Sequence, residues 1–333
     1  MKGTKMLKKT LAILGASLLA VSLAACAPST TTETSTSSAP APAAVAEGGL
    51  IAIITVDQGN PFWQAEAETA KKAAEALGYT TTVADHKNDP TAQDQLIDTA
   101  IASNAVAIIL DPAGADESIG AVQKAKDAGI PVFTVNAEIN VSGIAISQIV
   151  SNNAQGAAIG AEEFAKAMGQ TGEYVELFGN PTDNNASVRS EGYKSVLSQY
   201  PDMTNVGMEV ANWDRATGKE KMESLLQAHP GITGVIAGND EMALGAIAAL
   251  VGAGRTDIVV GGFDGNGEAA AAVTDKTMAY TVLQPITTLA EMAVAQAHAY
   301  ITTGSTGVPE KQTVDCVLIN PDNAAAYTFW AVG

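Results

Sequence analysis

The chain has 333 residues, with 18 Lys+Arg against 36 Asp+Glu, a formal charge of −18, 47% hydrophobic residues and only 5% aromatic ones. That length predicts about two domains, with aliphatic, alanine-rich cores. Two cysteines, Cys26 and Cys316, exclude a disulfide framework and a Cys-based metal site; from residue 48 onward 34 acidic side chains face 14 basic ones, a surface that repels phosphate backbones and excludes nucleic acid as a partner.

Residues 1–9 are basic (Lys2, Lys5, Lys8, Lys9), and 11–25, LAILGASLLAVSLAA, are small and apolar. This run is shorter than the roughly 20 apolar residues that span a bilayer, and basic head, short apolar middle and small-residue end describe an export signal over 1–25. Its end, Leu23-Ala24-Ala25-Cys26, resembles the bacterial lipoprotein box. That resemblance implies cleavage before Cys26 and acylation of its sulfur and new amino group, which anchors the chain in the lipid bilayer. Residues 27–47 are nearly all Ala, Pro, Ser and Thr. They bury too little apolar surface to fold, so 26–48 is expected to be a flexible tether. The body is expected outside the cytoplasm, lipid-anchored to the cell membrane (periplasm or outer face).

The body alternates short apolar runs with helix-like stretches. The runs predict strands at 50–56, 79–84, 105–110, 131–135, 144–150, 173–178, 206–211, 233–237, 257–263 and 279–283. Apolar spacing predicts helices at 63–77, 91–103, 116–128, 154–168, 187–199, 216–228, 241–253, 267–274 and 287–303. Gly78 is a stop signal for the first of these. Such alternation argues for an α/β fold with parallel sheets covered on both faces. Two Rossmann-like lobes with about five strands each are expected, with the break near 150–154.

Ligands of doubly wound sheets bind at the carboxyl ends of the strands. In chain order those ends carry Asp57 to Trp63, Asp111-Pro112, Asn136-Ala137-Glu138, then Gly179-Asn180 with Asp183-Asn184-Asn185 and Arg189. Next come Asn212-Trp213-Asp214-Arg215, Gly238-Asn239-Asp240, Asp264-Gly265-Asn266 and Gln284-Pro285. As ordinary turn and N-cap residues, Asp111, Asn180, Asp183, Asp240 and Asn266 need no further role. Trp63 and Trp213, exposed or half-exposed among amides, suit a surface that stacks on a polyhydroxylated ring.

Asn60-Pro61-Phe62-Trp63, Arg189-Ser190-Glu191-Gly192-Tyr193, Trp213-Asp214-Arg215, Gly238 to Ala246 (GNDEMALGA), Gly262-Phe263-Asp264-Gly265 and Gln284 occur in that order. Together they resemble the ribose-type periplasmic sugar-binding proteins, the type I substrate-capturing subunits of ABC importers, over about residues 49–320. The resemblance implies two similar lobes, 49–152 plus 285–313 and 153–284 plus 314–333, joined by a three-segment hinge, with Cys316 as a small buried residue in a late strand of the second. It also implies a neutral sugar or polyol in the cleft, no cofactor, a monomer, and an ABC permease in the membrane as partner. Carried over by motif, Asn60 would bond a hydroxyl, Phe62 and Trp63 would stack on the ring, and Trp213 would close the opposite face. Arg189 and Asn239 would donate, Asp264 would accept two hydroxyl protons, and Gln284 would reach in from the hinge.

One departure bears on the ligand. Where the ribose-type pattern has an Asp-Arg pair after the fourth strand, this chain has Asn136-Ala137. Asn136 can still bond a hydroxyl, but two charges are gone, so a related neutral pentose, hexose or sugar alcohol is expected rather than ribose itself. Enzymatic readings are weak. His86, His229 and His298 do not cluster and read as surface or capping residues. Gly265-Asn266-Gly267-Glu268-Ala269-Ala270 imitates a dinucleotide turn but falls in the ninth strand–helix unit. Nothing favours Asp240 and Asp264 as a glycosidase pair. A sugar-sensing receptor presenting its ligand to a membrane kinase or chemoreceptor would share every pocket residue, and the sequence does not separate it from a transport protein.

Overall fold

A computed structural model describes residues 48–332; the predicted signal, Cys26 and nearly all of the tether lie outside the described residues. Two parallel sheets are built from the alternating units. The first contains β1 (Leu50–Thr55), β2 (Thr80–Asp85), β3 (Ala107–Leu110), β4 (Val132–Val135), β5 (Ser147–Ser151) and, late in the chain, β11 (Lys311–Val314). Its order is β11-β5-β4-β3-β1-β2, and every pairing is parallel. The second contains β6 (Gly172–Phe178), β7 (Met203–Val210), β8 (Gly234–Ala237) and β9 (Val259–Gly261) in the order β7-β6-β8-β9. Parallel bridges Gly261–Tyr280 and Asp264–Leu283 set β10 (Thr281–Leu283) beside β9.

The central strands read as unbroken apolar runs because helices cover both faces. Ile108, Ile109 and Leu110 of β3 and Val132, Phe133 and Val135 of β4 are almost wholly buried, each contributing roughly 1.5–3 kcal/mol. In the first layer α1 (Pro61–Ala76) packs against α9 (Ile286–Thr303), and α9 also lies on β4 and β5. The contact is close because α1 presents Ala67, Ala70 and Ala74, and α9 presents Ala290, Ala293 and Ala297, all buried. On the other face lie α2 (Pro90–Ala102) and α3 (Ile119–Asp127). The second sheet is flanked by α4 (Asn153–Ala167), α5 (Asn184–Leu197), α6 (Arg215–Ala228), α7 (Asp240–Gly252) and α8 (Gly267–Thr274).

The chain passes between the two layers three times: between Ser151 and Asn153, between Leu283 and Ile286, and between Val314 and Val317. The third passage ends in β12 (Val317–Ile319), which pairs antiparallel with β10. The expectation of purely parallel sheets fails there: the chain leaves β11 in the first layer, enters the second two residues later, and β12 runs antiparallel to β10. Cys316 sits in that connection, one residue before β12. It is 4% exposed, and burial pushes its thiol up to about 12, so it is an inert packing residue. The chain ends in a hairpin, β13 (Tyr327–Thr328) and β14 (Ala331–Val332), that the apolar patterning did not announce.

Candidate ligand cleft

Turn chemistry puts the functional side chains at the strand ends. Asn60 caps α1 by accepting from Phe62 N at 2.9 Å, and Pro61 follows at the first helical position, where its missing N–H costs nothing. Phe62 and Trp63 are therefore fixed in the opening turn. Asn136 follows β4 at φ +65°, a left-handed conformation that asparagine tolerates. Across the cleft, Asp183 caps α5 and Asn239 caps α7 through Met242 N. Asn212 and Trp213 both have positive φ, and this pair of turns swings the indole over Gly179 and Gly238, where a Cβ at 179 would overlap the ring.

All nine predicted residues, Asn60, Phe62, Trp63, Asn136, Arg189, Trp213, Asn239, Asp264 and Gln284, line one cavity of about 260 Å³, together with Asp183 and Asn185. Trp63 and Trp213 are 7% and 5% exposed. The expectation of exposed or half-exposed indoles is corrected here: the two layers close over them. Direct hydrogen bonds span the gap. Asn185 Nδ2 donates to Asn136 O at 3.1 Å, Asn184 Nδ2 to Asn140 Oδ1 at 2.7 Å, and Ala115 N to Thr182 O at 2.9 Å.

Charge in the cavity is concentrated on one wall. The Arg189 guanidinium stacks 3.9 Å from the centre of the Phe263 ring and 5.3 Å from Trp213. Its Nε donates to Asn153 Oδ1 at 2.7 Å, and its Nη1 to Gly238 O at 2.8 Å while lying 3.6 Å from Asp264 Oδ1. Burial drives the Asp264 carboxyl well above the ordinary range, with Arg189 and the Gln284 amide (Nε2 to Oδ1, 2.8 Å) pulling it back. Gln284 Oε1, Asn136 Oδ1 and the indole N–H groups of Trp63 and Trp213 are buried with no hydrogen bond of good geometry. Unpaired buried polar atoms are costly, so a lining that leaves both donors and acceptors unused suits a ligand that supplies both.

Behind the aromatic wall lies a second layer of acids. Glu66, one turn beyond Trp63, is wholly buried, and Asp111, at the end of β3, is 1% exposed. Burial raises Glu66 well above its usual value, reinforced by the Asp111 charge. Burial likewise lifts Asp111 to about 8, against hydrogen bonds from Asn136 and Glu66. Thus Asp111 is not an ordinary turn residue. His86 corrects the expectation of surface histidines: it is 1% exposed, its Nε2 lies 2.8 Å from Asp111 O, and burial lowers its pKa. His229 does cap α6, and His298 pairs with Tyr79 Oη at 2.9 Å.

Three residues escaped the sequence reading. Asp183 and Asn185 were visible at a strand end; cap chemistry sufficed to explain Asp183, and Asn185 was given no role. Trp330, the third tryptophan, stands in the terminal hairpin far from any strand–helix unit; it packs edge-on against Phe62 with ring centres 5.5 Å apart. No group of acidic, histidine or cysteine side chains among the described residues could hold a metal.

The chain is similar in sequence and fold to known proteins. The family model described as periplasmic binding protein domain matches residues 51–306. The D-apiose import binding protein of Actinobacillus succinogenes is 52% identical over 317 residues, spanning 94% of this chain and 96% of its own length. The ribose import binding protein of Escherichia coli is 33% identical over 234 residues, spanning 70% and 78%. Among solved structures, a solute-binding protein of an ABC transporter from Bacillus halodurans with bound myo-inositol superposes with a TM-score of 0.77 at 26% identity, covering 84% of this chain and 97% of its own. One from Actinobacillus succinogenes with bound D-allose gives 0.78 at 26%, covering 84% and 100%. The chain belongs to the periplasmic binding protein family. It is an extracytoplasmic solute-binding protein and not an enzyme.

Proposed function

We propose that this protein captures D-apiose, or a closely related neutral pentose, in the cleft and hands it to an ABC permease. The role in ABC sugar import follows from the family and its relatives; the particular sugar is supported by the 52% identical apiose-import relative. The observation that carries the reading is the lining of the cavity: aromatic faces from both layers, amides, and one guanidinium set against Asp264 and Asp183. Phe62, Trp63 and Trp213 offer faces for the C–H side of a sugar ring. Asn60, Asn136, Asp183, Asn185, Arg189, Asn239, Asp264 and Gln284 meet its hydroxyls, each of which both donates and accepts. Hydrogen bonds to charged groups contribute roughly 1.5–3 kcal/mol each, enough in sum for a micromolar Kd of about −8 kcal/mol. Eleven side chains from both layers converge on this one point, a lining that suits a single small ring rather than an oligosaccharide. With Arg189 set against Asp183 and Asp264, whose carboxyl pKa values burial raises, the site holds no surplus of positive charge, which disfavours phosphorylated sugars.

Residues 49–152 plus 285–313 and 153–284 plus 314–333 move as two lobes about the three passages. The sugar stabilises the closed arrangement because its partners come from both. Cys26, acylated after removal of 1–25, tethers this monomeric receptor to the bilayer through 26–48. Tryptophan emission titrated with D-apiose, D-ribose, D-allose and myo-inositol tests the ligand: a saturable change with apiose at the lowest concentration is expected, and no response to any neutral sugar or polyol would overturn the assignment. Cys26→Ala should release the protein from membranes.

A further inference from the structure

The first-lobe wall carries a device that decides which end of an amide the ligand meets. Asn136 lines the cavity. Its Nδ2 donates at 2.8 Å to Asp111 Oδ2, a carboxyl outside the cavity lining, and its Oδ1 is buried without a partner. With the NH2 group committed behind the wall, the oxygen is the amide atom left for the cavity. The backbone is held as well: Asn136 N donates to Ile149 O at 2.9 Å and Asn136 O accepts from Asn185 Nδ2 at 3.1 Å. With the backbone fixed and Nδ2 held by Asp111, the amide flip is the alternative that would exchange the atom facing the cavity.

Asp111 opposes that flip, because a carboxylate oxygen accepts from NH2 and gives nothing to C=O. Glu66 is wholly buried within reach of the Asp111 charge, and neither of its carboxyl oxygens has a hydrogen bond of good geometry. Two buried acids near one another cannot both ionise readily, and the bond from Asn136 Nδ2 to Asp111 Oδ2 is one that an ionised Asp111 accepts. We propose that Asp111, backed by Glu66, is a positioning residue that locks Asn136 with Oδ1 toward the ligand, so that this point of the cleft accepts only a hydroxyl that donates. This deepens the sugar-binding reading and rests on it for its consequence, though not for its geometry.

The test is a charge exchange. Calorimetric titration with D-apiose is run on wild type, Asp111→Asn, Asn136→Asp and the double variant. Asp111→Asn frees the amide to flip, and Asn136→Asp sets a second carboxyl against Asp111; each is expected to weaken binding about tenfold or more. The double variant restores one acceptor toward the ligand with an amide behind it, and its affinity should return to within about threefold of wild type. A purely structural Asp111 would give additive losses, and additivity, or wild-type affinity in Asp111→Asn, overturns the proposal. A ligand-independent arm separates the two readings. Side-chain amide NMR of Asn136, assigned by its loss in Asn136→Asp, should show one slowly exchanging NH2 in wild type and fast exchange in Asp111→Asn. If apiose fails to bind but this difference appears, the sugar is wrong and the lock stands; if Asn136 exchanges equally fast in both, the lock is wrong whatever the sugar.

Discussion

The two walls of the cleft handle charge in opposite ways. The wall from the second layer brings its ions to the cavity surface: Arg189 and Asp264 both line it, 3.6 Å apart, with the guanidinium clamped between Phe263 and Trp213. The wall from the first layer shows only Asn60, Phe62, Trp63 and Asn136 to the cavity, and keeps Glu66 and Asp111 behind them. Ions at the cavity surface bond a ligand's hydroxyls strongly, the guanidinium as donor only and an ionised carboxyl as acceptor only. Hidden acids bond it not at all, yet fix the orientation of what does. The contrast teaches that affinity and selectivity are carried by different layers of the protein.

Breaking the charged wall has the largest expected effect. Asp264→Ala leaves Arg189 as a buried, half-unpaired cation and removes an acceptor; a loss of affinity of about 100-fold or more is expected by calorimetry, with the fold retained by circular dichroism. Gly179→Ala comes next. The added methyl occupies the Trp213 ring, and overpacking costs about 1–3 kcal/mol, so affinity should fall about tenfold to 100-fold with a shift in tryptophan emission. Trp330→Ala attacks the opposite wall by removing the support of Phe62; roughly tenfold weaker binding is expected if the hairpin sets that ring.

The hidden acids give a pH signature. The Glu66–Asp111 pair, and Asp240, lifted to about 7 by burial, bind more protons in the folded state than the unfolded chain does at the same pH. A folded pKa above the unfolded one means that the native state binds more protons between about 4 and 8, so stability declines as pH rises through that window. The melting temperature should fall by several degrees between pH 4.5 and 8, and Glu66→Gln should flatten the slope. An equal slope in the variant would mean that the pair does not share a proton. The smallest effect belongs to the rim. Asn184→Ala deletes an exposed amide contact to Asn140, about 0.5–1.5 kcal/mol, and should weaken binding several-fold without altering the order of preference among sugars.

Much of this molecule was legible because local rules and tertiary needs coincide. Apolar runs such as Ile108-Ile109-Leu110 become central strands since both faces are covered, and Asn60, Asp183 and Asn239 are cap residues that also stand at the carboxyl edge of a sheet. Asp183 was passed over because one local explanation was enough. Strand β12 and the terminal hairpin have too few apolar residues to give a period, so their pairing is set only by what lies beside them.

The sequence by itself determined the alternation of strands and helices, the edge where a ligand must sit, and the residue types that meet there, because periodicity, caps and turn residues act within a few positions along the chain. Only the tertiary structure decided that Trp330 would back Phe62 from more than 250 residues away, that His86 and Asp111 would be buried, and which way the Asn136 amide would face. Those outcomes depend on desolvation and on partners brought together by folding, and neither is written in any local stretch of residues.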